Sequence, residues 1–282
     1  MFEAESLGHV VSLVVVGLGP HGARLGPEMG EAEPTTVLLP RRETPDETKL
    51  GEVLEVFVYQ DSEDRYVATL SRPKLELGEV AFLEVNDVAP FGAFCDWGLA
   101  KDLLVPRAEM TSELSVGDRH PIGLYVDDSG RLAGTMRVSE MLRARHGYRV
   151  GDWAEGEAWR RDPGRGVFVI LDRRYVALLP ESEPHRLGRG DAARFRISKI
   201  HPDGKLEVSL RDLAHKEVDK DAEKILAVLR EKPATRVGDH SSPEQIHALF
   251  GLSKKAFKRA VGGLFKRGEV RIDPEGFVSP AK

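Results

Sequence analysis

The chain has 282 residues, of which 41% are hydrophobic and 31% charged, with a net charge of −5. That composition is ordinary for a globular protein, the length allows about two to four domains, and no run of about 18 apolar residues offers a membrane span. The single cysteine, Cys95, excludes an intrachain disulfide framework and most cysteine-based metal sites.

The start, Met1-Phe2-Glu3-Ala4-Glu5, is acidic and lacks the basic region of a signal peptide, so a cytoplasmic protein is expected. The charge is uneven. It is −7 over residues 1–72, −4 over 73–147, +2 over 148–218 and +4 over 219–282. A polyanion would be held most strongly by the C-terminal half.

The first apolar strand leads into Gly17-Leu18-Gly19-Pro20-His21-Gly22, which fits G-x-G-x-x-G. A dinucleotide site needs a helix immediately afterwards, and Gly26, Pro27, Gly30 and Pro34 break any such helix. An apolar run then ends in proline at Leu38-Leu39-Pro40. A glycine, Gly51, precedes the next strand, Asp61-Ser62-Glu63-Asp64-Arg65 forms a polar turn, and the closing strand ends on Arg72.

The same series returns twice. It runs Leu103-Leu104-Val105-Pro106, Gly117, Asp127-Asp128-Ser129-Gly130-Arg131 and Arg137, and then Ala177-Leu178-Leu179-Pro180, Gly190, His201-Pro202-Asp203-Gly204-Lys205 and Arg211. The glycine-to-arginine interval is 21, 20 and 21 residues. Leu206, Val208 and Leu210 alternate with Glu207, Ser209 and Arg211, the period of a half-buried strand. Each repeat of about 65–75 residues carries roughly five short strands, and a sheet that small removes its edges by closing into a five-stranded OB-type barrel.

After residue 218 the apolar period changes to 3.6. Ala222, Ile225, Val228 and Leu229 mark one face of a first helix. Ser242-Pro243-Glu244-Gln245 reads as a capping box opening a second helix, with Ile246, Leu249 and Phe250 inward and Gly251 as its stop. Ser253 caps a third helix, whose expected inward face is Phe257, Ala260, Val261, Leu264 and Phe265. Val270-Arg271-Ile272 and Phe277-Val278 flank Asp273-Pro274-Glu275-Gly276 as a hairpin. Three helices and a hairpin make a winged helix.

The expected fold is therefore mostly β with a C-terminal α+β domain: barrels over residues 1–73, 74–147 and 148–214, then a winged helix over 215–282. No catalytic residue, metal or cofactor is expected. Cys95 lies in a strand with no histidine close in sequence, and His240 and His247 lack ligand spacing for a helix face.

Gly78-Glu79-Val80-Ala81-Phe82-Leu83-Glu84-Val85-Asn86-Asp87, leading into Phe91-Gly92-Ala93-Phe94-Cys95-Asp96, resembles the S1 RNA-binding domain. Gly166-Val167-Phe168-Val169 matches more loosely, and Gly22-Ala23-Arg24-Leu25 weakly. In its domain order, and at Ser253-Lys254-Lys255-Ala256-Phe257-Lys258-Arg259-Ala260, the whole chain resembles the conserved virulence factor B family of bacterial RNA-binding proteins. The resemblance implies three S1 modules and a winged helix, RNA as ligand and a role in regulating gene expression.

The S1 pattern puts Phe91 and Phe94 against RNA as stacking platforms, with Asp127 and Arg131 on the hairpin before the last strand. Pro106 stands where the pattern has a histidine. In the third repeat Arg165 replaces the first ring, Phe168 keeps the second and Lys205 replaces the arginine, with Arg160, Arg161, Arg173 and Arg174 nearby. The first repeat lacks the rings and is the most acidic, so it is expected to bind RNA poorly and to act as a spacer or protein contact. On the third helix of the winged helix, Lys254, Lys255, Lys258, Arg259 and Lys266 suit a nucleic-acid backbone, and no exposed Asn or Gln there reads bases.

Overall fold

The computed structural model describes residues 5–27, 36–61, 63–143, 146–211, 214–231 and 235–281. Residues 1–4, Gly30, Pro34 and Ser62, named above, lie outside them. The chain divides into two compact units, Met1–Leu210 and Arg211–Lys282.

The first unit holds three five-stranded bodies of one topology. The first is β1 (Val10–Gly19), β2 (Gly22–Gly26), β3 (Val37–Pro40), β4 (Val53–Gln60) and β5 (Tyr66–Thr69), closed in the order β1-β2-β3-β5-β4. The second is β6 (Val80–Ala89), β7 (Gly92–Asp96), β8 (Leu103–Pro106), β9 (Arg119–Val126) and β10 (Leu132–Thr135), followed by a one-turn helix α1 (Val138–Met141). The third is β11 (Trp153–Asp162), β12 (Gly166–Leu171), β13 (Tyr175–Pro180), β14 (Ala192–Ile200) and β15 (Leu206–Ser209), again closed.

Parallel pairing closes barrel one at Leu38 and Val67, and barrel three at Ala177 and Leu206. Barrel two is one sheet ending on β8 and β10, whose Leu103, Val105 and Leu132 meet in a shared core.

The repeated glycines have a geometric cause. Gly51, Gly117 and Gly190 have φ of +81°, +87° and +83°, the left-handed region that glycine enters without steric cost. Their N–H groups donate to Val15, Val85 and Ala158 oxygens at 2.8, 2.8 and 2.7 Å. Each acceptor borders the β-bulge of its barrel's first strand. A bulge bends the strand and increases its twist, which lets one strand pair on both sides of a small barrel.

The repeated arginines do not end the closing strands. β5, β10 and β15 end on Thr69, Thr135 and Ser209, with Arg72, Arg137 and Arg211 just beyond. The buried hydroxyls mark the ends instead. Thr69 Oγ1 donates to Glu43, Thr135 Oγ1 to Glu109 at 2.6 Å, and Ser209 Oγ to Glu183 at 3.0 Å. Each glutamate follows the repeated proline by three residues, so the tie joins the start of the post-barrel loop to the last strand.

The barrels are packed on one another. Phe57 of barrel one lies edge-on to Trp97 of barrel two, ring centroids 5.7 Å apart, in a common core. Between barrels two and three, Val80 and Arg143 N–H groups donate to Arg173 and Arg174 carbonyls, both at 2.8 Å. Glu79 there accepts from Arg174 at 2.9 Å, and Val80, Val138 and Ile170 bury together.

The second unit is α2 (Ala214–Glu231), α3 (Pro243–Phe250), α4 (Lys254–Lys266), β16 (Val270–Ile272) and β17 (Val278–Pro280). Ser242 accepts from Gln245 N–H as expected, but the Gln245 side chain donates to Arg236 O rather than completing a capping box. Gly251 ends α3 at φ +67°, and Ser253 caps α4 by accepting from Ala256 N–H.

A backbone bridge from Gly238 to Phe277 adds a third strand position to the wing, unseen in the sequence pattern. Phe265 does not face inward; it is 53% exposed. At about 100° per residue it lies about 80° around from Phe257, at the rim of a stripe that Ala260, Val261 and Leu264 already fill.

Candidate nucleic-acid interface

One close backbone approach aligns the three barrel faces. Gly22, Gly92 and Gly166 pair with Pro40, Pro106 and Pro180. A Cβ on Gly92 would lie 2.3 Å from Val105 O, so only glycine lets the second strand enter there. The positions one before and two after this glycine therefore correspond: Phe91 and Phe94 in barrel two, Arg165 and Phe168 in barrel three, His21 and Arg24 in barrel one.

In barrel two the Phe91 ring is 60% exposed and meets the half-buried Phe94 ring edge-to-face at 5.9 Å. Phe94 lines a cleft of about 280 Å³ with Asp127 and Arg131, and Tyr59 and Asp64 of barrel one form its far wall. The structure thus gathers Phe91, Phe94, Asp127 and Arg131 on one face.

Asp127 also has a turn to hold. Its Oδ1 accepts from Ser129 N–H at 2.8 Å, Ser129 Oγ at 2.6 Å and Arg131 N–H at 3.0 Å. Partial burial raises its carboxyl, but these donors outweigh that and hold it below the usual carboxylate range. The Arg131 guanidinium pairs with Asp64 of the neighbouring barrel, which raises its pKa further.

In barrel three a cleft of about 540 Å³ brings Arg165, Phe168 and Lys205 together with His201. The Arg160 and Arg165 guanidinium carbons lie 4.9 and 5.6 Å from the Phe168 centroid. Arg160 also lies 4.7 Å from the Trp159 ring, so it bridges two aromatics. Strand register, with Arg160 opposite Phe168, is the signal that ranks Arg160 first among its neighbours. Arg165 pairs with Asp162 at 3.5 Å and Lys205 with Asp203 at 2.6 Å, both at the surface. Arg173 and Arg174 instead bind Glu79 at the junction of barrels two and three.

On α4, Lys255, Lys258 and Arg259 are exposed and Lys254 is half-buried. Lys258 pairs with Asp239 at 2.6 Å. The exposed Phe265 and Lys266 extend this face, adding an aromatic group that the helical period assigns to the core. Cys95 is buried in the core of barrel two, and burial, with Asp102 nearby, pushes its thiol up to about 12, which keeps it protonated and un-nucleophilic at neutral pH.

Five-stranded barrels with this glycine–proline face and a winged helix define a multi-domain S1 protein. The sequence matches the S1 domain over residues 7–71 and 77–137, which includes the divergent first barrel, and the CvfB-like winged helix domain over 223–278. It is 31% identical to the uncharacterized protein YitL of Bacillus subtilis over 83% of this chain and 82% of that one. It is 28% identical to conserved virulence factor B of Staphylococcus aureus over 96% of this chain and 93% of that one. The chain belongs to the conserved virulence factor B family.

A crystal structure of a multidomain protein with nucleic acid binding domains from Streptococcus pneumoniae aligns over 98% of this chain and 99% of that one, at 22% identity and a TM-score of 0.40. No helix among the described residues is long and apolar enough to cross a membrane.

Proposed function

We propose that this chain is a non-enzymatic RNA-binding protein that holds single-stranded RNA on barrels two and three and acts as a post-transcriptional regulator. The observation that carries the reading is the Phe91–Phe94 pair. A largely exposed ring beside a half-buried one, next to Arg131, is costly to leave in water and is the platform that unstacked bases use. Barrel three supports it at the corresponding positions with Arg165 and Phe168 and with Lys205 on the hairpin. Lys254, Lys255, Lys258 and Arg259 would add backbone contacts from the winged helix, and Asp127 would accept from a base or ribose hydroxyl.

Barrel one is assigned to contact with a protein partner. It carries the most negative charge of the chain, and Leu50 and Val53 are exposed on it.

The test is binding of a fluorescent single-stranded RNA by anisotropy. Phe91→Ala with Phe94→Ala should weaken it by the equivalent of about 1–3 kcal/mol for each base that loses its platform. Full affinity in the double variant, with the fold intact by circular dichroism, would remove the claim.

A further inference from the structure

Between barrels two and three lies a groove of about 520 Å³ that neither S1 face includes, within the roughly 300–1,000 Å³ of small-ligand pockets. Its walls bring together Thr111, Ser112, His120 and Arg137 of barrel two with Trp159 and Arg189 of barrel three. The cations are held in place by their own contacts. Arg189 lies 5.5 Å above the Phe82 ring, donates to Arg119 O at 3.3 Å and meets His120 Nδ1 at 3.3 Å. Arg137 donates to Ala108 O at 3.1 Å and lies 3.7 Å from Glu109. Glu140 is the acidic side chain on the groove's own wall.

Contacts of the groove's wall residues lead toward both neighbouring faces. The turn Arg107–Glu109 touches each side: Arg107 N–H donates to Phe91 O at 2.8 Å, and Ala108 O receives Arg137. On the other side Arg160 lies between the Trp159 and Phe168 rings. A chain of adjacent groups therefore runs from Phe91 through Arg137, Arg189 and Trp159 to Arg160 and Phe168. Cations at intervals, hydroxyls and an indole ring suit a phosphodiester with its bases splayed.

We infer that this inter-barrel groove binds the RNA segment linking the two S1 faces: Arg137 and Arg189 take its phosphates and Trp159 stacks one of its bases. This deepens the RNA reading and rests on it. It assigns a third contact zone that exists only where two barrels meet.

The experiment uses the full chain and two single-stranded RNAs, one of about 4 nucleotides and one of about 12, within the site sizes of roughly 4–16 nucleotides for OB folds. Arg137→Gln with Arg189→Gln should weaken the longer RNA by about tenfold. It should also reduce the slope of log affinity against log salt by about 1.4, for two phosphates at about 0.7 each on a single strand. The shorter RNA should lose much less. Ser112→Asp, which puts a negative charge into the groove at an exposed position and removes no packing, should act in the same direction. Photocrosslinking with 4-thiouridine RNA should label a peptide containing Trp159.

Unchanged affinity and salt slope for the longer RNA, with loss on Phe91→Ala and Phe94→Ala, would overturn the groove and leave the S1 sites standing. Wild-type protein that binds neither RNA would overturn both. Groove variants that keep full RNA affinity but no longer bind a protein partner would overturn the proposal and assign the groove to that protein.

Discussion

Arg131, which the S1 pattern sets on the hairpin before the last strand, is held by a carboxylate from another barrel. Asp64 reaches it from a turn in which its own backbone adopts φ +61°, a region that aspartate tolerates better than most residues. Both side chains are about half exposed, so solvent screens the pair and it contributes little to the fold. On the proposed RNA reading, the Asp64 carboxylate occupies the guanidinium that a phosphate would take. Asp64→Asn should therefore tighten RNA binding by about two- to fivefold, the scale of an exposed ion pair. Arg131→Gln should weaken it, and the double variant should follow Arg131→Gln, with affinities measured by anisotropy at fixed salt. Equal affinities for wild type and Asp64→Asn would show that the pair does not compete with RNA. That Phe91, Phe94, Asp127 and Arg131 share one face was legible because the two phenylalanines and the polar turn are local patterns. Asp64 was not, because its partner is 67 residues away and is brought near by the packing of Phe57 on Trp97.

At the scale of elements, the three repeats were legible because their turns carry residues that geometry demands. Gly51, Gly117 and Gly190 need positive φ, and the intervals between glycine and arginine are nearly constant. The strand ends were misplaced on the arginines for the same reason: they recur, but they stand beyond the last ladder pair. The tie that ends each barrel has a sequence separation of 26 in all three repeats, from Glu43 to Thr69, Glu109 to Thr135 and Glu183 to Ser209. Sequence periodicity does not reveal it, because a carboxylate and a hydroxyl on different elements share no local pattern. Thr135→Val keeps the shape of the side chain and removes the donor, leaving the Glu109 oxygen without it. Urea unfolding should show a loss of about 1–3 kcal/mol for that variant. A loss under about 0.5 kcal/mol would mean that water replaces the hydroxyl and that the tie is not structural. On the wing, one bridge at Gly238 was equally invisible, since a single residue has no period. A Cβ there would lie 1.9 Å from Gly276 O, so the position admits only glycine.

Across the first unit, the charge gradient pointed to the C-terminal half as the polyanion-binding side, but it did not show how barrels two and three meet. Their junction draws on charged and polar side chains with no local pattern: Glu79, Arg173, Arg174, Arg189 and His120. His120 reports on that junction. Burial lowers its pKa below the ordinary 6.5, the Arg189 charge lowers it further, and Asp118 at 3.8 Å only partly opposes them. The unfolded chain therefore takes up this proton first as pH falls, so His120 supports the fold fully above about pH 6.5. That support is lost progressively below, as pH falls through the depressed folded value. Denaturant midpoints should decline across this window in wild type and decline less in His120→Gln. A phosphate in the adjoining groove would favour the imidazolium and restore its proton affinity. Bound single-stranded RNA should accordingly reduce the acid sensitivity of wild type more than that of His120→Gln. Identical pH profiles with and without RNA would place the nucleic acid away from this junction, while a shift confined to wild type would tie RNA binding to the contact between the two barrels.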